Sequence, residues 1–265
     1  ALTTTVPKHC AVVVVAAPRE SLLEEERRFL RGFLLRAGKG LVVREPEADE
    51  DLEELLEPWS VRFGEGIVVD PESALLGDLT TPAVTRYVYG QITKNLPMTL
   101  FPSATYVQKL EGPPGLETVQ STSPLLESGD ESWAETDLDE ENLRYDEDAD
   151  ERGPLNLGMT IEAPGSLGSE EYKTASSTVT RLVLIGDSDF AANAFIDLVG
   201  NRDLFLNAIN WLAEEEDLIA IRPKPPDDRE LYLTGTRARW ILYSSTIGMP
   251  LLVLVAGAVV WWRRR

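Results

Sequence analysis

The sequence predicts an α/β fold, a doubly wound and mostly parallel sheet, on three observations. Cys10–Ala17 (CAVVVVAA), Gly40–Val43 (GLVV) and Gly66–Val69 (GIVV) are short, β-branched and apolar, the composition of strands covered on both faces. Helical segments lie between them on short links, and a strand–helix–strand order calls for right-handed parallel crossovers. A later apolar run, Arg181–Gly186 (RLVLIG), meets Asp187, Ser188 and Asp189 and then a helix opening at Phe190. That junction is the carboxyl edge of a strand, where open α/β sheets bind ligands.

Taken in order, Cys10–Ala17 ends at Pro18 and reads as a central strand. Ser21 with Glu24 makes a capping box for a helix whose apolar face is Leu22, Phe29, Leu30, Phe33, Leu34 and Ala37, closed by Gly38. Asp51–Glu57 is a short acidic helix stopped by Pro58, and Gly66–Val69 is the third strand, ending at Asp70. Residues 82–93 fit a helix, whereas Met98–Val107 and Leu116–Ser121 read as strand or edge pieces, Pro102 barring a central position. Leu155–Ala163 is a strand, followed by a Gly/Ser/Thr-rich link to Thr178. After Arg181–Gly186 come a helix over Asp203–Ala213, carrying Leu204, Ile209, Trp211 and Leu212, and a last short strand at Leu218–Arg222.

Glu127–Glu151 holds thirteen acids and one base, so it reads as a solvated surface loop inserted in the domain. Asp137, Asp139 and Glu141 alternate as in a helix-loop-helix calcium site, but Asn142 stands where such a loop has Gly and Asp148 where it has a bidentate Glu. The domain organisation is therefore a soluble α/β domain over 1–222 with the acidic loop at 127–151, a Pro-rich linker over 223–239, an apolar helix over 240–262 and a basic tail at 263–265.

Trp240–Trp262 contains no charge, and at about 1.5 Å per residue it covers about 34 Å, enough for a hydrocarbon core of about 30 Å. Trp240 and Tyr243 at one end and Trp261 and Trp262 at the other fit aromatic belts at headgroup depth, Pro250 interrupts the middle, and Arg263, Arg264 and Arg265 can lie among lipid phosphates. A single transmembrane helix is the expectation. Arg222, Lys224, Arg229, Arg237 and Arg239 precede it and three arginines follow it, so charge alone does not orient it. An outward-facing domain would need an export signal, and Ala1–Lys8 carries no apolar signal segment.

Composition excludes several functions. A formal net charge of −20 and one cysteine in 265 residues leave no basic footprint for nucleic acid and no intrachain disulfide. There is no Cys or His cluster for zinc, no P-loop and no Gly-x-Gly-x-x-Gly, so no cofactor is expected. The one histidine, His9, sits beside Cys10 at the head of an apolar strand, a poor setting for a thiolate nucleophile. Ser188 follows Gly-Asp as in some hydrolases, but no histidine follows it to act as base. Ser188 or Asp189 reads instead as a helix N-cap. Asp187, Ser188, Asp189 and Asn193 are the candidate edge for a ligand or partner.

The run VLIGDSDFAANAFIDLVGNRDLFLNAINWLAEEEDLIAIRPK, the pieces TLFPSATYVQ and SPLLESGDESWAETD, and the closing helix with WWRRR resemble the auxiliary components of bacterial ABC transport systems, the gliding-motility-associated GldG-like group. Gly186–Phe190 with Asn201, Leu204, Asn207 and Trp211 is the most specific part. The resemblance implies a class I glutamine amidotransferase-like fold without its catalytic cysteine, held outside the cytoplasmic membrane between two transmembrane helices, of which this sequence carries the second. It implies a non-catalytic accessory subunit with ABC permease and ATPase partners, membrane lipid around the helix, and an extracytoplasmic protein or small molecule as ligand. The alternatives from other classes are a membrane-tethered hydrolase using Ser188 or Cys10 and a structural membrane-surface protein with a calcium-responsive acidic loop.

Overall fold

The structure, a computed structural model, describes residues 6–7, 10–46, 51–75, 77–111, 120–137, 143–165, 179–214 and 242–264. The elements run β1 (Val13–Ala16), α1 (Glu24–Leu35), β2 (Lys39–Val43), α2 (Asp51–Leu56), β3 (Val61–Phe63), β4 (Ile67–Val69), β5 (Ala74–Leu75), β6 (Asp78–Val84) and β7 (Arg86–Tyr87). They continue with β8 (Thr99–Leu100), β9 (Val107–Lys109), β10 (Ser121–Glu127), β11 (Trp133–Glu135), β12 (Glu151–Arg152), β13 (Asn156–Pro164), β14 (Val179–Ile185), α3 (Asn201–Leu212) and α4 (Met249–Arg264).

Alternation along the strands sorts the core into two layers. Leu41, Val43, Val183 and Ile185 pack on one face with Leu204, Ala208, Trp211 and Leu212 of α3. Val42, Leu182 and Leu184 pack on the other with Leu30, Leu34 and Leu35 of α1 and Leu52, Leu55 and Leu56 of α2. Successive residues of a strand point to opposite faces, so a continuous apolar run feeds both layers. Each such buried Leu, Val or Ile contributes about 1.5–3 kcal/mol. Thr180 Oγ1 donates to Leu34 O at 2.7 Å and ties β14 to α1.

The fold is α/β, with helices on both faces, but the sheet is mixed rather than mostly parallel. Its order is β1-β2-β14-β13-β10-β7. Only β1–β2 and β2–β14 are parallel; β14–β13, β13–β10 and β10–β7 are antiparallel. The central position expected for Cys10–Ala17 is corrected: β1 is the edge of this sheet, and Val14 is 44% exposed. The third apolar run also leaves the parallel sheet. β4 pairs antiparallel with β11 in a separate three-stranded sheet. Apolar composition marks a buried strand without saying which neighbour it finds.

Residues 78–87 form strands β6 and β7, overturning the helix expected over 82–93. Thr80, Thr81 and Val84 are β-branched, and β6 pairs through Ala83 and Val84 with β8 beyond Pro82. The acidic stretch is partly structural: β11 and β12 lie within it, and Glu135 is buried, accepting from Trp133 Nε1 at 3.1 Å and Asp137 N at 3.0 Å. Asp139, Glu141 and Asn142 of the calcium pattern, the strand at 218–222 and the linker 223–239 lie outside the described residues.

The single transmembrane helix expected over 240–262 is not supported as one long regular helix. A π-helical turn over Ser244–Gly248 precedes α4, which has 16 residues and so rises about 24 Å. Among the described residues no helix is long and apolar enough to cross a membrane. Pro250 lacks the N–H that would bond one turn back, which loosens the regular ladder where the π-turn sits. Tyr243, Pro250, Trp261, Trp262, Arg263 and Arg264 are exposed, and Trp240 and Arg265 lie outside the described residues.

Candidate functional site

The carboxyl edge of the parallel strands is built from the ends of β2 and β14. Their register pairs Ile185 with Val43, and continuing it sets Asp187 beside Glu45. Gly186 permits the turn: a Cβ there would stand 2.1 Å from Thr105 O, and Thr105 N donates to Gly186 O at 2.6 Å. Arg44, between the strand and Glu45, is buried with its guanidinium 5.8 Å from the Phe63 ring centre.

Ser188 and Glu45 hold each other. The Ser188 amide donates to Glu45 Oε1 at 2.8 Å, and the Ser188 hydroxyl donates to the same oxygen. Asp187 is fully buried. Its Oδ1 accepts from Asp189 N at 2.6 Å and Phe190 N at 3.4 Å, so Asp187 caps the 3-10 turn Asp189–Ala191. This corrects the expectation that Ser188 or Asp189 is the cap; the Ser188 side chain makes no capping bond. Asp187 Oδ2 has no hydrogen-bond partner among the described residues. Burial holds the Asp187 carboxyl well above the usual carboxylate range, and the negative charge of Glu45 and then of Asp189 adds to it.

The structure thus brings Asp187, Ser188 and the unforeseen Glu45 together, while Asp189 and Asn193 are exposed on the turn that follows. Glu45 could have been found as an acid two residues past a buried strand, on the edge that carries Asp187. Chemically, a serine hydroxyl that donates to a carboxylate is oriented, whereas nucleophilic attack asks for a base tuned near the working pH. Cys10 is half-buried and its Sγ donates to Val12 O at 3.2 Å; His9 lies outside the described residues.

The asparagines of the same block are structural clamps. Asn201, fully buried at the start of α3, accepts from Leu100 N at 2.8 Å and donates to Leu100 O at 3.0 Å and to Phe190 O and Phe195 O at 3.2 Å each. Asn207 Nδ2 donates to Ile92 O at 2.7 Å.

Fold and site define a mixed α/β module whose carboxyl edge carries a serine–carboxylate cluster of Glu45, Asp187 and Ser188. The chain belongs to the family described as ABC-type uncharacterized transport system, an auxiliary component of such systems, whose model matches residues 1–208. Among solved structures it is similar to the mmIFT52 N-terminal domain, with a TM-score of 0.53 and 15% identity, over 77% of this chain and 77% of that one. That likeness concerns the fold alone. No curated protein matches.

Proposed function

We propose that the chain is a non-catalytic accessory subunit of an ABC-type transport system, of the GldG-like group. In this reading its α/β domain, related to the class I glutamine amidotransferase-like fold, works at the extracytoplasmic face of the membrane. It binds a substrate or an extracytoplasmic protein at the edge of Asp187, Ser188, Asp189 and Asn193, and its C-terminal helix docks against a permease driven by a separate ATPase. The family match over residues 1–208 carries the reading.

The C-terminal helix supports it. Leu254 is 72% exposed and Trp262 82%, with Leu251, Val259, Val260 and Trp261 also exposed. Contiguous exposed apolar surface asks for a cover, and the exposed Ser244 and Thr246 ahead of it are of the small, hydroxyl type that lets membrane helices pack closely. A photo-crosslinking residue at Leu254 or Trp261, activated in native membranes, should capture a permease subunit; capture of water-soluble proteins alone contradicts the docking.

The tethered hydrolase is the rival, since the Ser188 hydroxyl does meet an acidic group. A serine-directed or thiol-directed probe that labels Ser188 or Cys10 stoichiometrically would favour it, and an unlabelled chain supports the accessory role.

A further inference from the structure

The parallel register of β2 and β14 sets two acids, Glu45 and Asp187, side by side at the tips of neighbouring strands. They are placed unequally. Asp187 is fully buried, and one of its two oxygens, Oδ2, has no hydrogen-bond partner among the described residues. Glu45 is half-buried, so its side chain has a way out to water. A single Glu45 oxygen carries both bonds to Ser188, from the amide at 2.8 Å and from the hydroxyl.

Among the described residues the charges that act on Asp187 are those of Glu45 and Asp189, both negative. Arg44, from the same strand end as Glu45, is turned onto the Phe63 ring and Gly64 O, and Arg202 of α3 is paired with Asp197. Thr105 and Leu157, which bond the Gly186 backbone, bring no charge. A carboxylate buried beside another acid and without a cation is costly. Burial first, and the two acids next, therefore hold the Asp187 carboxyl well above its usual range.

Losing that proton to solvent does not undo the cap that Asp187 makes. The bonds that Oδ1 accepts from Asp189 N and Phe190 N strengthen when the acceptor is ionised. The far end of the turn is fixed, because Phe190 is buried with its ring centre 5.6 Å from that of Phe101 and its carbonyl accepts from Asn201. Repulsion falls on Glu45, the acid of the pair that can reach water. We propose that Asp187 and Glu45 form a proton-operated latch on Ser188: with Asp187 protonated Glu45 stays in and holds Ser188, and with Asp187 ionised Glu45 turns out to water and frees one N–H and one O–H at the strand edge. The freed groups are two donors for a ligand oxygen, so the edge is closed at low pH and opens as pH rises. This adds regulation to the edge assigned above to a substrate or partner, and it rests on that reading for its use, not for its mechanism.

Hydrogen exchange of the full chain in mild detergent, read residue by residue from about pH 5 to about pH 8 and divided by the intrinsic rate, tests the latch. The Ser188 amide should lose at least about tenfold in protection as pH rises, while Asp189, Phe190 and the amides of β14 keep theirs. Asp187→Asn keeps the capping oxygen and never ionises, so Ser188 should stay protected throughout. Glu45→Ala removes the acceptor, so Ser188 should exchange fast throughout. A parent chain whose Ser188 protection does not change with pH overturns the latch, as does the parent's pH dependence surviving in either variant. Loss of protection shared by β14 means general opening and overturns it too. If Asp187→Asn does not fold, the parent and Glu45→Ala decide between them. No partner takes part in this measurement, so its failure leaves the accessory role standing, and isolation without a permease would leave the latch standing.

Discussion

Replacing Asn201 tests whether the most distinctive block of this sequence is there for architecture. The side chain is fully buried: its oxygen accepts from Leu100 N, and its two N–H groups are shared among the carbonyls of Leu100, Phe190 and Phe195. It therefore fastens β8, the turn after Asp187 and the start of α3 to one another. Asn201→Ala strands the buried Leu100 amide, at about 1–3 kcal/mol, and removes the two N–H donors shared among three carbonyls at roughly 0.5–1 kcal/mol each, so the loss should be about 2–5 kcal/mol. With a urea slope of about 2 kcal/mol per molar, the midpoint falls by roughly 1–2.5 M at unchanged slope. Trp59, Trp133 and Trp211 are buried and report the transition by fluorescence. Asn193→Ala, an exposed change on the same turn, should stay within about 0.5 kcal/mol. A loss below about 1 kcal/mol for Asn201→Ala would refute the clamp and return that asparagine to the list of functional groups.

The raised pKa of Asp187 makes a pH prediction. The folded chain keeps a proton that the unfolded chain releases above about pH 4, so this group's contribution is fully present below that value and is lost as pH rises toward the folded pKa. Asp187→Asn keeps the capping oxygen and should gain stability relative to the parent as pH is raised from 4 to 8; parallel melting profiles would show that the buried carboxyl does not hold its proton. Gly186→Ala drives a methyl into Thr105 O and should cost about 3 kcal/mol or prevent folding, seen in melting temperature and soluble yield; a variant as stable as the parent contradicts the close approach. Ser188→Ala removes the hydroxyl bond to Glu45 and should cost about 1 kcal/mol in urea unfolding, and a neutral result would mean that the Ser188 amide alone orients Glu45.

Much of the α/β frame was legible because it follows from local pattern. β2, α1, α2, β13, β14 and α3 sit where apolar period, strand length and helix punctuation put them. The capping box at Ser21 and Glu24 slid by two residues, Leu23 N donating to Glu26 Oε2 at 3.1 Å, since acids at neighbouring positions can serve the same amides. Pairing partners were not legible. A valine run does not record whether its strand lies at an edge, as β1 does, or joins a different sheet, as β4 does. Asp187 and Ser188 were visible as a strand-edge turn, but Glu45 comes from a strand 143 residues away, and only the parallel register of β2 and β14 unites them.

The most direct measurement of the accessory role is gentle isolation of the tagged full chain from its native membranes, followed by identification and counting of the polypeptides that accompany it. A permease and an ATPase present in fixed, near-integral ratio to the chain is the predicted result. A chain that emerges alone, and that by itself turns over an ester or peptide substrate, would contradict the account.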